Sequence, residues 1–212
     1  MGPAGAGKST LAGHVQQDDS RVHVGLSLWG LPRSRLVRGA IALAPTIVIA
    51  ALRKRRLRWR EIKQMIRLDA LRRVLRRMKS RHPIILLDEG PVFGISWLDL
   101  TFADRGAAAP KRWRRRLLKR WGRLLDAVVL VDASDETLAT RIRTRAKAHR
   151  IRGESDAEIG RFADGFRRAF DRVLGDLEQS TRGELRVDTI RTDGSLNRSA
   201  ARLQAALQSH GR

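Results

Sequence analysis

Gly2, Gly5, Gly7, Lys8 and Ser9 stand in a stretch, Gly2-Pro3-Ala4-Gly5-Ala6-Gly7-Lys8-Ser9-Thr10, that fits the pattern G-x-x-x-x-G-K-S. The chemistry that needs this spacing is polyphosphate binding. Glycines admit backbone conformations closed to other residues and let the main chain approach an anion closely. The loop amides and the N-terminus of the helix that follows then face the phosphates. Lys8 is placed to reach the β and γ phosphates, and the Ser9 hydroxyl to ligate Mg²⁺. ATP and Mg²⁺ are the expected ligands, and Gly2, Pro3, Ala4, Gly5, Ala6, Gly7, Lys8, Ser9 and Thr10 the expected binding segment.

A second acid is needed at such a site. Asp88 closes the apolar run Ile84-Ile85-Leu86-Leu87 and would sit at the tip of a buried strand, where it can hold Mg²⁺ directly or through water. Glu89 beside it could act as a general base or orient an acceptor hydroxyl, and Gly90-Pro91 would turn the chain out of the sheet. Arg141 and Arg145 are four residues apart and share one helix face. Arg150 and Arg152 follow in a loop. Phosphoryl transfer spreads negative charge over the γ oxygens, which arginines from a lid can stabilise. A solvated basic helix is the plainer reading of the same residues. His149 reads as a surface residue.

The elements that must position these groups can be read from periodicity. Helix is expected from Lys8 to Gln17 and a half-buried strand over Arg21 to Leu28, followed by a loop over Trp29 to Arg35. Leu36 to Leu52 is strongly apolar. Its uncharged part, Gly39 to Leu52, is short of the roughly 20 residues that cross a bilayer and contains Pro45. A buried helix is expected there, with a membrane-surface role as the alternative because Arg53 to Arg60 (RKRRLRWR) flanks it. Leu57 to Lys79 should be a long amphipathic helix with an arginine-rich outer face, ended by His82-Pro83. Buried strands are expected at Ile84 to Asp88 and Ala127 to Val131, and a last strand at Leu185 to Ile190. Further helices are expected at Pro110 to Leu125 with Trp113 and Trp121 inward, at Ser134 to Arg145 with a Ser cap, at Asp156 to Gln179 and at Leu196 to Leu207. Strands alternating with helices call for a parallel sheet with right-handed crossovers.

The chain has 212 residues, enough for one α/β domain. It contains no cysteine, which excludes disulfides and thiolate metal sites and agrees with a cytoplasmic setting. No secretory signal is visible ahead of the motif. The formal charge is +22, carried mostly by arginine. A solvated arginine-rich surface accounts for it, and an anionic partner, nucleic acid or membrane, is the competing and less favoured reading.

The order of parts resembles the P-loop nucleoside and nucleotide kinase group, with thymidylate kinase the nearest familiar relative. The resemblance rests on GPAGAGKST at Gly2 to Thr10, IILLDEGP at Ile84 to Pro91, VVLVDASDETLATRIRTR at Val128 to Arg145, and LRVDTIRTDGS at Leu185 to Ser195. It implies one P-loop domain over residues 1–212, a three-layer α/β/α sandwich on a parallel sheet. Residues 36–81 would form an acceptor-side section and residues 141–153 a lid-like segment whose Arg141 and Arg145 contact the transferred phosphates. It implies an ATP- and Mg²⁺-dependent phosphotransferase with Lys8, Asp88, Glu89, Arg141 and Arg145 in the reaction and Ser9 and Asp88 on the metal. Two departures qualify it. Only Met1 precedes Gly2, so the strand expected before the loop is apparently missing: either the true start lies upstream, which is the favoured reading, or the chain lacks its central strand. Thymidylate kinases place Asp-Arg-aromatic where this chain has Asp88-Glu89-Gly90, so an acceptor other than thymidylate is expected. The alternative functions are an ATP-controlled binding protein for nucleic acid or anionic membrane, or a degenerate NTPase.

Overall fold

The computed structural model describes residues 1–52, 57–102, 110–145, 149–181 and 183–208. Among them the elements run α1 (Lys8–Asp18), β1 (Val22–Leu26), α2 (Arg33–Leu52), α3 (Trp59–Met78), β2 (Ile84–Leu87), α4 (Pro91–Thr101), α5 (Lys111–Gly122), β3 (Ala127–Asp132), α6 (Asp135–Thr144), α7 (Asp156–Thr181), β4 (Arg186–Arg191) and α8 (Leu196–Gln208). The fold is mixed α/β, dominated by helices. Part of the expected basic flank, residues 53–56, and part of the expected lid, residues 146–148, lie outside the described residues.

Both strand pairings are parallel, as the alternation of elements requires. The expected single sheet is, among the described residues, two separate pairs. β1 pairs with β2 from Val22 opposite Ile84, and β3 with β4 from Ala127 opposite Arg186 to Asp132 opposite Arg191. The reason β2 and β3 are continuous apolar runs is visible in their packing. Ile85 and Leu87 of β2 and Val128 and Leu130 of β3 face a core shared with α3, α4, α5 and α7, whereas Ile84, Leu86, Val129 and Val131 face a second core shared with α1 and α8. A strand with apolar neighbours on both faces has no polar side to show, although β2 is only half-buried, not buried as expected, because Ile84 to Leu87 border a cavity.

Between β2 and β3 lies a cavity of about 220 Å³, bordered by Ile84 to Leu87 on one side and Ala127 to Val129 on the other. Met1 closes one end of it. The Met1 amino group donates to Val129 O at 2.7 Å, and Val131 N donates to Met1 O at 2.6 Å. That is the pattern of a parallel ladder, so Met1 occupies a strand position beside β3. Burial there pushes its amino pKa down to about 5, with the Lys8 charge adding to the effect.

The helices are set by their apolar spacing. In α5, Trp113, Leu117, Leu118 and Trp121 are buried on one face against the core, as expected, and Lys111, Arg112, Arg115 and Arg116 are exposed on the other. Arg114 is anchored by Asp99 at 2.6 Å and Asp176 at 3.0 Å, tying α5 to α4 and α7. In α3, Met65, Leu68, Leu71 and Leu75 are buried, and the nearly buried Asp69 takes Arg73 at 2.8 Å and Arg72 at 3.4 Å. One element was not foreseen and one expectation is corrected. Pro91–Thr101 is a helix with Pro91 in its first turn, where a missing N–H and a fixed φ suit helix entry. And α2 is not a buried helix: only Gly39, Leu43 and Ala50 are buried, and its other face is open.

Candidate functional site

Gly5 and Gly7 have φ of 83° and 78°, a left-handed conformation that favours glycine, and they fold Gly2 to Gly7 into a tight turn at the N-terminus of α1. Gly2 answers a different demand: a Cβ there would lie 1.8 Å from Val131 O, so only glycine lets the turn rest against β3. The unpaired amides of the first turn of α1 and the positive end of its dipole point out of this turn, an arrangement that attracts an anion.

Lys8 folds back over the turn and donates to Pro3 O at 2.7 Å. Burial lowers its pKa; Asp88 and Glu89 work against that, and Arg145 reinforces it. Ser9 Oγ donates to Asp88 Oδ2 at 2.7 Å across 79 positions of sequence. The turn and the tip of β2 therefore meet. Asp88 Oδ1 is shielded from solvent and has no hydrogen-bond partner among the described residues. An anionic oxygen in that state is costly unless a cation or a donor reaches it.

These groups fit Mg²⁺. It is usually held by one or two carboxylates together with substrate phosphates and water, rather than by a cage of protein ligands. The hydroxyl of Ser9 and the carboxylate of Asp88 are the hard oxygen donors present. No group of three or more His, Asp or Glu side chains suited to a metal is found among the described residues, so the partners that complete a shell would have to come with a ligand.

Arg141 and Arg145, expected in a lid, have different surroundings. Arg141, in the last turn of α6, donates to Thr192 Oγ1 at 3.0 Å, Thr192 O at 2.7 Å and Gly5 O at 3.4 Å. Thr192 Oγ1 in turn donates to Ala6 O at 3.0 Å. Arg141 thus braces the glycine turn against the end of β4. Arg145, the cap residue just past α6, is half-buried and lines the cavity with Lys8; its backbone N–H donates to Arg141 O at 3.1 Å, and its guanidinium makes no hydrogen bond or ion pair to a described residue. Beneath α6, Arg167 of α7 holds Asp132 at 2.9 Å, Asp135 at 2.7 Å and Asp164 at 2.7 Å, and these carboxylates raise its pKa further. That hub fixes the entry of α6 and so the direction from which Arg141 and Arg145 approach.

Gly5, Gly7, Lys8, Ser9, Thr10, Asp88, Glu89, Arg141 and Arg145 all line one cavity of about 790 Å³. Its remaining wall was not foreseen. Trp29 from the loop before α2, Phe93 and Trp97 from α4, and Phe162 and Phe166 from α7 form an aromatic lining. Phe93 and Phe166 stack at 5.7 Å and Trp29 meets Trp97 edge-on at 6.2 Å. His149 is not a plain surface residue; it lines the same cavity, its ring 5.7 Å from Phe162, and burial with the nearby Arg145, Arg150 and Lys8 charges lowers its pKa. Arg150 lies over Phe162 at 5.1 Å. Of this wall, only the spacing of Phe162 and Phe166 on one face of α7 can be read from the sequence. The cavity thus has a charged floor that suits a polyphosphate and an apolar, aromatic side that suits a second, less polar molecule. No protein-family model matches the chain, and no curated protein matches it.

Proposed function

We propose that the chain is an ATP- and Mg²⁺-dependent phosphotransferase of the P-loop kinase type, acting on a small-molecule acceptor. The observation that carries the reading is the meeting of Lys8, Ser9 and Asp88 at the mouth of a left-handed glycine turn, with Ser9 on Asp88 at 2.7 Å. Strands packed on both faces by helices agree with the three-layer architecture of that group.

On this reading the amides of Gly5 to Ser9 receive the β and γ phosphates. Lys8 exchanges its bond to Pro3 O for a phosphate oxygen. Ser9 and Asp88 would hold Mg²⁺, which when bound would supply charge neutralisation on the phosphate oxygens. Glu89 lies beside Asp88 and lines the same cavity as the aromatic residues, so it orients the acceptor hydroxyl and takes its proton as the bond to phosphorus forms. Arg145 closes on the γ phosphoryl group, whose charge builds as its bridge to ADP breaks. Arg141 keeps the glycine turn in the conformation that all of this requires. The aromatic wall binds the acceptor and excludes water, which limits loss of the phosphoryl group to hydrolysis.

The test is a panel of hydroxyl-bearing acceptors supplied with Mg²⁺ and ATP and read by ADP release, run on wild type and Lys8→Ala. Acceptor-dependent release that falls by orders of magnitude in Lys8→Ala, with the melting temperature little changed, supports the reading. Equal release by the two proteins contradicts it.

A further inference from the structure

The most unusual surface of the molecule is on α2. Val37, Ile41, Val48, Ile49 and Leu52 are 58%, 69%, 54%, 51% and 78% exposed. At helical spacing these positions, bridged by the exposed Ala44 and Pro45, make one stripe along the helix. The helix is 20 residues long, about 30 Å at 1.5 Å per residue. Its most apolar window has a mean hydropathy of 1.7, yet only 17% of it is buried. A core helix of that composition would be covered. Contiguous apolar surface of this extent marks a contact site.

The opposite side of α2 is committed to the protein. Gly39 sits so close to α3 that a Cβ would lie 3.1 Å from Ile66 O, and Leu43 and Ala50 are buried. The helix therefore has one face to give, not its whole circumference, and its charge-free run from Gly39 to Leu52 is shorter than a bilayer crossing needs. A helix fixed along one side and apolar along the other can lie in a membrane interface.

Charge identifies what covers it. The helix contains no acid; Arg33, Arg35 and Arg38 stand at its start, and Arg58 and Arg60 follow its end. Trp59, 63% exposed with Lys63 lying 5.3 Å over its ring, adds an amphipathic side chain of the kind that settles at headgroup level. A second copy of the chain is a poor occupant, because each copy carries +22 and pairing the stripes would bring the flanking arginines together. A nucleic acid offers nothing to the apolar stripe. We infer that α2 is a membrane-docking helix, which lays Val37, Ile41, Val48 and Leu52 into the surface of an anionic phospholipid bilayer while the arginines at its two ends engage the headgroups. This is independent of the reaction proposed above.

The absence of cysteine allows a direct test on the full-length chain. Ile41→Cys carrying an environment-sensitive dye is mixed with vesicles of phosphatidylcholine alone or with a quarter phosphatidylglycerol, at physiological ionic strength. Dye emission should shift to the blue only with the anionic vesicles. Co-sedimentation of the unlabelled chain should favour them about tenfold or more over the neutral ones and weaken at high salt. The pair Ile41→Asp and Val48→Asp, whose side chains are already in solvent, should lower vesicle binding by about tenfold or more with an unchanged thermal melt, and Ile41→Leu should keep it. The proposal is overturned if the dye does not respond or if the Asp pair still sediments with anionic vesicles. It is also overturned if light scattering shows a dimer that the Asp pair dissociates while vesicles capture neither protein, or if a polynucleotide but no vesicle binds at physiological salt.

Discussion

At the scale of single residues, Arg141 lies in the last turn of α6 and Arg145 just past its end, and the two are held differently, so their substitutions should separate. Arg141→Ala removes bonds to Thr192 and Gly5. It should lower stability by about 1–3 kcal/mol, as loss of a partly buried charged donor does, and weaken ATP binding through a loosened turn. Arg145→Ala breaks no bond to a described residue. It should leave the melt nearly unchanged and, if its charge acts on the leaving γ phosphoryl group as proposed, lower kcat on the order of a thousandfold. Lysine at this position should rescue only in part, since it lacks the planar fork. Arg115→Ala, on the exposed face of α5, should be neutral in both measurements. Thermal melts, ATP titration and steady-state rates on the four variants decide the matter. Equal damage from Arg145→Ala and Arg115→Ala would remove Arg145 from the mechanism.

At the scale of elements, contact between the glycine turn and β3 is the joint on which the site depends. Gly2→Ala would drive a Cβ into Val131 O, so the turn and strand must part. Both melting temperature and ATP affinity should fall. Gly13→Ala, in α1 where a Cβ meets nothing within 4 Å, should instead be neutral or stabilise by up to about 1 kcal/mol. Much of this scale could be read from the sequence. β2 and β3 are apolar runs closed by Asp88 and Asp132, and α6 carries a Ser134 cap with acids after it and arginines at its end. Meanwhile α4 escaped notice because Pro91 to Leu100 is apolar nearly all round, with Pro91 where a break would be expected. The open face of α2 could not be foreseen either: an apolar run looks the same whether or not other elements cover it. The aromatic wall joins residues from the loop before α2, from α4 and from α7, and no local spacing records such a convergence. Arg141 was visible as a cation, but its partner Thr192 is 51 positions away.

At the scale of the molecule, the two strand pairs stand on either side of a cavity that Met1 lines. Its amino group is pushed from 8.0 to about 5 by burial, so between those values the unfolded chain binds the proton and the folded chain does not. Protonation therefore opposes folding. Stability should rise as pH increases from 5 to 8 by a few kcal/mol, all of it gained by about pH 8 and absent below pH 5. Denaturant melts across that range check it, and a flat profile would contradict the burial of Met1. Joining a short, extended apolar segment to the amino side of Met1 should remove the charge, fill the cavity and complete the ladder beside β3. For a chain of this size each kcal/mol so gained should raise the melting temperature by about 2–4 °C. An extended segment of alternating charge should not.

The claim at the centre is that Ser9 and Asp88 make one Mg²⁺ site under a bound nucleotide. Calorimetric titration of ATP with and without Mg²⁺, on wild type and on Asp88→Asn, measures it directly. Asparagine still accepts the Ser9 hydroxyl, so the fold is kept while the charge is lost. Wild type should bind ATP markedly more tightly with Mg²⁺ than without, and Asp88→Asn should lose most of that difference. ATP affinity that ignores Mg²⁺ in wild type, or a Mg²⁺ effect that survives in Asp88→Asn, would contradict the site as drawn.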